Sequence, residues 1–187
     1  MRFLILGPNG SGKGTQAEML KDELGVPHIS TGEMLRAAVA AGTPAGVEAA
    51  PIMAAGGLVP DELMLRTLEE RLGEPDAKDG WILDGYPRNV AQAHALDRLL
   101  GASDRAVDRV IVLEVPDEVI LERCRVRFAA EHRPDDDPEI VRERLALFHN
   151  RTQPVIELYT GRGIVAAVDG VGEVNEVFGR ILAGLPK

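Results

Sequence analysis

Residues 7 to 15 read Gly7-Pro8-Asn9-Gly10-Ser11-Gly12-Lys13-Gly14-Thr15 and follow directly on the apolar run Phe3-Leu4-Ile5-Leu6. A short buried strand that opens into a glycine-rich turn ending in Gly-Lys suits a phosphate. The glycines let backbone N–H groups converge on an anion with no Cβ in the way. A helix beginning near Lys13 adds the free N–H groups and positive end of its first turn at the same spot. Lys13 is expected to reach the β- and γ-phosphates of a nucleotide. The general pattern places Ser or Thr directly after the lysine, as a magnesium ligand. Here Gly14 stands there, and the hydroxyl comes one residue later, at Thr15. The nucleotide is therefore expected to be held as in a kinase of small substrates rather than as in a GTPase, with the metal depending less on a loop hydroxyl.

Apolar runs alternate with helical patterns along the rest of the chain. Strands are expected at 3–6, 28–30, 81–84, 109–115 and 164–168. Helices are expected at 13–24, 33–41, 43–55, 60–72, from Pro87 to Leu100, and from Pro116 onward, fading beyond Arg127. A long helix starts at Asp137 and is expected to break near Pro154, and a last one covers 174–182. Alternating strands and helices imply an α/β fold with a parallel sheet covered on both faces. Ligands then sit at the carboxyl ends of the strands. That gathers three tight loops: 7–15, 84–88 and the turn after Val168. Pro134 and Pro138 exclude a continuous helix through the Arg-Pro-Asp-Asp-Asp-Pro run at 133–138, which reads as a surface loop.

A chain of 187 residues is long enough for one domain with a sizeable core. The N-terminal apolar run is too short for a signal peptide, and no stretch approaches a membrane span. One cysteine, Cys124, leaves no internal disulfide and no multi-cysteine metal site. The expectation is a cytoplasmic monomer that meets no membrane. A net charge of −9 argues against nucleic-acid binding by bulk electrostatics. The basic residues are 17 Arg against 4 Lys, and Arg123, Arg125, Arg127, Arg133, Arg142, Arg144 and Arg151 crowd one stretch. An acidic chain with a local arginine cluster suits a small anionic ligand, because the planar guanidinium matches phosphate oxygens and keeps its charge. The bland alternative, a solvated helix face, fits Arg125, Arg142 and Arg151.

Four further segments carry chemistry. Ser30-Thr31-Gly32-Glu33-Met34-Leu35-Arg36 joins a strand to a helix, and Thr31 is placed to cap that helix. Gly56-Gly57-Leu58-Val59-Pro60 is a tight turn into another helix. Asp84-Gly85-Tyr86-Pro87-Arg88 puts a carboxylate and an arginine at the sheet's ligand edge, with Gln92 one helical turn beyond. Arg133 to Arg144 spans the loop and the next helix. His28, His94, His132 and His149 are scattered and read as structural or surface residues.

Taken together, Gly-Pro-Asn-Gly-Ser-Gly-Lys-Gly-Thr, Ser-Thr-Gly-Glu-Met-Leu-Arg, Gly-Leu-Val-Pro-Asp, Leu-Asp-Gly-Tyr-Pro-Arg-Asn with Gln92, and the late Val-Asp-Gly resemble the adenylate kinases over nearly the whole chain, in the right order. The resemblance implies a P-loop NTPase-like fold with a five-stranded parallel sheet, an AMP-binding helical insert at 30–59 and a short ATP lid at 123–137. It implies the reaction ATP + AMP ⇌ 2 ADP with Mg2+. It puts the ATP phosphates on Gly10, Ser11, Gly12, Lys13, Gly14 and Thr15, and adenine of ATP against the backbone of Gly172. It puts AMP against Thr31, Arg36, Gly57, Leu58, Val59, Gly85, Tyr86, Pro87, Arg88 and Gln92. Arg123 and Arg127 face the ATP side, and Arg133 and Arg144 gather the phosphoryl group in flight. Lys13, Arg88 and these four arginines form the expected catalytic set. Asp84 orients magnesium through its waters rather than binding it directly. Three departures stand out: Asn9 for the usual proline, Glu33 for the usual aspartate, and Phe128-Ala129-Ala130-Glu131-His132 for the common glycine-containing lid. Long-lid members often carry cysteine zinc ligands, and this chain lacks the length and the cysteines, so no structural zinc is expected.

The chemistry is consistent with that resemblance. A phosphate acceptor oxygen is already ionised and needs no general base, so catalysis rests on alignment and on cations where charge develops. Two rivals stay open at this point. A pyrimidine monophosphate kinase of the same architecture tends to carry Ala in place of Thr31. A nucleotide-binding scaffold that has lost catalysis is expected to lack one of the lysine or arginine positions, and none is missing.

Overall fold

A computed structural model describes residues 1–54, 59–131 and 136–185. Five strands form one parallel sheet: β1 (Arg2–Leu6), β2 (His28–Ser30), β3 (Trp81–Asp84), β4 (Arg109–Glu114) and β5 (Val165–Asp169), in the order β2-β3-β1-β4-β5. β1 lies at the centre, with Leu4 level with Leu83 on one side and with Val110 on the other. Period-two alternation sends Leu4, Leu6, Trp81, Leu83, Val110 and Val112 to one face, and Phe3, Ile5, Ile82, Ile111 and Leu113 to the other. With both faces covered, the strands need to be apolar throughout, which is why β1 and β4 read as unbroken hydrophobic runs.

The first face is covered by α4 (Asp61–Leu72), α5 (Val90–Gly101) and α8 (Gln153–Thr160), through Leu68, Leu72, Ala93, Leu96, Val155 and Tyr159. The second is covered by α1 (Lys13–Leu24) and α9 (Val174–Ala183), through Ala17, Leu20, Val177 and Ile181. Each fully buried Leu, Ile or Phe side chain contributes about 1.5–3 kcal/mol of transfer free energy, so these two layers carry most of the hydrophobic stabilisation. Two smaller clusters stand apart. Leu35, Ala45, Ala49 and Leu63 join α2 (Thr31–Ala41) and α3 (Pro44–Ala54) to α4. Ile120, Cys124, Val141 and Leu145 join α6 (Asp117–Glu131) to α7 (Pro138–Leu147).

Three local expectations are corrected. α6 does not fade beyond Arg127 but continues to Glu131. The break expected near Pro154 comes earlier, as a π-type turn at Phe148–Thr152; Pro154 lies in the first turn of α8, where its missing N–H costs nothing. Thr31 does not cap α2, which Ser30 enters in extended conformation; the Thr31 hydroxyl donates instead to the carbonyl of Asp84, at 3.3 Å. No described helix is long and apolar enough to cross a membrane.

Candidate active site

The phosphate loop leaves β1 and enters α1 through two glycines with left-handed backbones, Gly10 at φ +86° and Gly12 at φ +96°. They are needed for different reasons. A Cβ on Gly10 would stand 2.8 Å from the Cys124 sulfur, so α6 packs directly on the loop. A Cβ on Gly12 or Gly14 would meet nothing within 4 Å. The open side of the loop is therefore the side at which N–H groups can meet an anion. Among the described residues, the buried Ser11 hydroxyl and the Asn9 side-chain nitrogen have no hydrogen-bond partner. Buried polar groups left in this way are costly unless a ligand satisfies them.

Lys13 begins α1, partly buried, and its ammonium donates to the carbonyl of Pro8 at 2.8 Å. Burial holds its pKa below the ordinary lysine value; the field of Asp84 opposes this, while Arg88 and Arg127 reinforce it. Lys13 thus feels β3, the turn after β3 and α6 at one point. Three cations around one place describe a site built for several negative charges.

The turn after β3 is tightly fixed. The Arg88 side chain donates from Nε to the carbonyl of Gly85 at 2.7 Å, and its backbone N–H donates to Gln92 Oε1 at 2.6 Å. Its carbonyl accepts from the Thr152 hydroxyl at 3.0 Å. Gly85 has φ +85°, and a Cβ there would press on the Thr31 hydroxyl at 2.7 Å, so α2 sits close against this turn. Tyr86 is fully buried, and burial, with the nearby Asp61, pushes its phenol up to about 12. Pro87 follows through a cis peptide bond. Gln92 is 8 % exposed, in the first turn of α5, where the Asn89 side chain accepts from its N–H.

Arg123 on α6 reaches both the phosphate loop and the last loop, donating to the carbonyls of Ser11 (3.4 Å) and Gly170 (3.0 Å). Arg127, one turn on, makes a two-pronged pair with Asp136, each bond 2.5 Å. The Asp136 side chain is fully buried. Arg144 on α7 lies close enough for its charge to act on Cys124, whose thiol is pushed up by burial first and then by Asp136. Arg36 is exposed on α2. Gly172 has φ +131°, in a loop that Arg180 holds by donating to the carbonyls of Asp169 and Val171. Val59 packs beside the small α2–α3 cluster. The expected site residues Gly57, Leu58 and Arg133, with His132 and the glycine at 56, lie outside the described residues.

The three loops expected to gather are thus brought together. Arg123 ties 7–15 to the turn after Val168, and Lys13 feels the Asp84–Arg88 turn. Sequence reasoning passed over three partners. Asp136, in the run expected as a surface loop, is instead the buried partner of Arg127. Asp61 accepts from Gln92 Nε2 at 2.6 Å. His28, with its side chain 4 % exposed, stands 2.6 Å from Glu18 and 3.8 Å from Asp84. For His28 the only available signal was its place one residue before a buried strand position. Arg125, Arg142 and Arg151 are exposed, and Arg125 pairs with Glu122, as a solvated face requires.

Comparison with known proteins agrees with this geometry. The family model described as Adenylate kinase matches residues 5–164. An adenylate kinase of Stenotrophomonas maltophilia (strain K279a) is 52 % identical over 185 residues, 99 % of each chain. One from Xanthomonas euvesicatoria pv. vesicatoria (strain 85-10) is 55 % identical over the same share of both chains. One from Xanthomonas campestris pv. campestris (strain B100) is 56 % identical over 181 residues, 97 % of each. With a phosphate loop, an Asp-Gly-Tyr-Pro-Arg strand end and arginines converging on one sheet edge, and with relatives matched over nearly their full length, this chain belongs to the adenylate kinase family.

Proposed function

We propose that this chain transfers the γ-phosphoryl group of ATP to AMP, giving two ADP, and works in adenine nucleotide homeostasis. The observation that carries the reading is the phosphate loop, open at Gly12 and Gly14, bridged by Arg123 to the last loop and facing the fixed turn that bears Arg88. Phosphoryl transfer needs its cations where charge builds on the moving group, not a base. Gly10 to Thr15 hold the ATP phosphates by backbone N–H groups, and Arg123 closes on them from α6. Arg88 and Arg36 hold the AMP phosphate. Arg127, Arg133 and Arg144 bring positive charge from the 123–137 lid and α7. The 30–59 insert carries Thr31 and closes over AMP, with Val59, Gly85, Tyr86 and Pro87 forming the rest of its pocket. Closure of both excludes water, which would otherwise take the phosphoryl group.

Magnesium fits this site as an ion carried by the nucleotide. Among the described residues no three His, Cys, Asp or Glu side chains are grouped to hold a metal. One carboxylate, Asp84, stands beside the phosphate loop, and Mg2+ keeps most of its waters and binds through few carboxylates and substrate phosphates. When bound, the ion neutralises charge on the β- and γ-phosphates. Asp84 would accept hydrogen bonds from its waters. The protein works as a monomer in the cytoplasm.

The test is a coupled assay with ATP against AMP, CMP, UMP and GMP. AMP is expected to be preferred by a wide margin. Two adenosines joined by five phosphates should bind far more tightly than ATP, because they fill both sites at once. Lys13→Ala should fold and lose about 2–4 kcal/mol of transition-state stabilisation. A preference for CMP or UMP makes the chain a pyrimidine nucleotide kinase. An analogue that binds no better than ATP, with no turnover, leaves a nucleotide-binding scaffold.

A further inference from the structure

We propose that Asp61 makes the acceptor site read adenine rather than a 6-oxopurine, by locking the Gln92 amide in one of its two orientations. The inference rests on the acceptor site proposed above. A glutamine amide is nearly symmetric in shape, and rotating its end by half a turn exchanges a donor for an acceptor. Whatever it reads, it reads unambiguously only if something forbids that turn.

Two groups forbid it here. Gln92 Nε2 donates to Asp61 Oδ1 at 2.6 Å, and Gln92 Oε1 accepts from the Arg88 backbone N–H at 2.6 Å. An ionised carboxylate offers only lone pairs, and a backbone N–H only a proton. Turning the amide would set its oxygen against the carboxylate and its NH2 against the N–H. Two short bonds would become two repulsions, at a side chain only 8 % exposed. Asp61 is itself steadied by the Asn89 amide, which donates to Oδ2 at 3.3 Å, while Asn89 Oδ1 accepts from the Gln92 N–H at 2.8 Å.

Among the described residues each end of the amide has one partner, so Nε2 keeps a second proton and Oε1 a second lone pair. That pair of groups complements the adenine edge, whose N1 accepts and whose amino group donates. A 6-oxopurine of the same size inverts both, with N1–H and a carbonyl. Cytosine shares the adenine pattern. The lock therefore separates AMP from IMP and GMP, and leaves AMP against CMP to other features of the pocket. A site with fixed polar groups rejects the mismatched base strongly because those groups are left unpaired.

The experiment compares kcat/KM for AMP, IMP and CMP in wild type, Asp61→Asn and Asp61→Glu, with melting curves to verify folding. Asn at this position can present either an oxygen or an NH2, so the stronger of the two restraints is lifted and only the Arg88 N–H still opposes the turn. The IMP/AMP ratio should rise at least about tenfold, the CMP/AMP ratio should stay put, and Asp61→Glu should keep IMP excluded. Asp61→Ser, whose hydroxyl can donate or accept, serves equally if the Asn variant does not fold. An unchanged IMP/AMP ratio overturns the proposal. So does a CMP/AMP ratio that rises in step, which reports only a loosened pocket. Wild-type protein that transfers nothing to AMP defeats the underlying reading of the site, a result distinct from either of these.

Discussion

The charges of Arg88 and Arg127 both act on Lys13, from very different foundations. Arg88 leaves the end of β3, whose Trp81, Ile82 and Leu83 are wholly buried and belong to the layers on both faces of the sheet. Arg127 stands on α6, which is joined to α7 through the small cluster of Ile120, Cys124, Val141 and Leu145. The turn that carries Arg88 thus shares the stability of the whole domain. Arg127 rests instead on that small local cluster, a unit expected to open at a lower free energy than the sheet. The transfer proposed above draws on this asymmetry: one cation on a fixed strand end, the others on helices joined by a local cluster.

The strongest attempt to break this contrast is a pair of core truncations. Leu83→Ala should cost about 2–5 kcal/mol of global stability. Leu145→Ala should fall at the low end of that range, and hydrogen exchange should rise mainly in 117–131 and 138–147. Exchange that rises equally across the sheet would show that α6 and α7 are not a separate unit.

Next in size is the kinetic contrast. Arg88→Ala should weaken the hold on AMP, raising its KM as well as lowering kcat, while the KM for ATP stays close to wild type. Arg127→Ala should act on the ATP side and leave the AMP KM nearly unchanged. Each loss should be about 1.5–3 kcal/mol, the scale of a charged hydrogen bond. Identical KM shifts in both variants would mean that the two arginines serve one phosphate.

The smallest effect concerns His28, at the start of β2. Burial disfavours its charged form, but the carboxylates of Asp84 and Glu18 outweigh burial and raise its pKa above the ordinary 6.5. The protonated ring therefore favours the folded state. That contribution is complete below the ordinary value and is lost as pH rises through the raised one. Urea melts at about pH 6 and about pH 8.5 should show the wild type losing stability that His28→Asn does not lose. Parallel pH dependence in both proteins removes His28 from the account.

What could be read from residues alone divides along the same line. The strands, the phosphate loop and the Asp84–Arg88 turn were legible because each is fixed by neighbours in sequence: apolar runs, glycines at left-handed positions, a proline after a tyrosine. Asp136 was not. Between two prolines and beside other acids it has every local mark of a solvated loop residue, and only packing against α6 buries it. Thr31 misled in the opposite way. A threonine before a helix is a natural cap, but the carbonyl of Asp84, brought in by β2–β3 pairing, gives its hydroxyl a partner further along the chain. Arg133, Gly57 and Leu58 remain as the resemblance left them, assignments to be tested by substitution.

The place of β1 has a consequence for synthesis. β1 sits between β3 and β4, level with Trp81 to Asp84 on one side and with Arg109 to Val112 on the other, and both partners lie well after it in sequence. At about 5–20 residues per second, the ribosome needs roughly 4–15 seconds to go from β1 to β3, and longer to reach β4. Through that interval Phe3, Leu4, Ile5 and Leu6 have neither neighbour. The apolar strand that later anchors the phosphate loop is, for those seconds, unpaired along both edges, a state in which strand pairing with other chains is easiest.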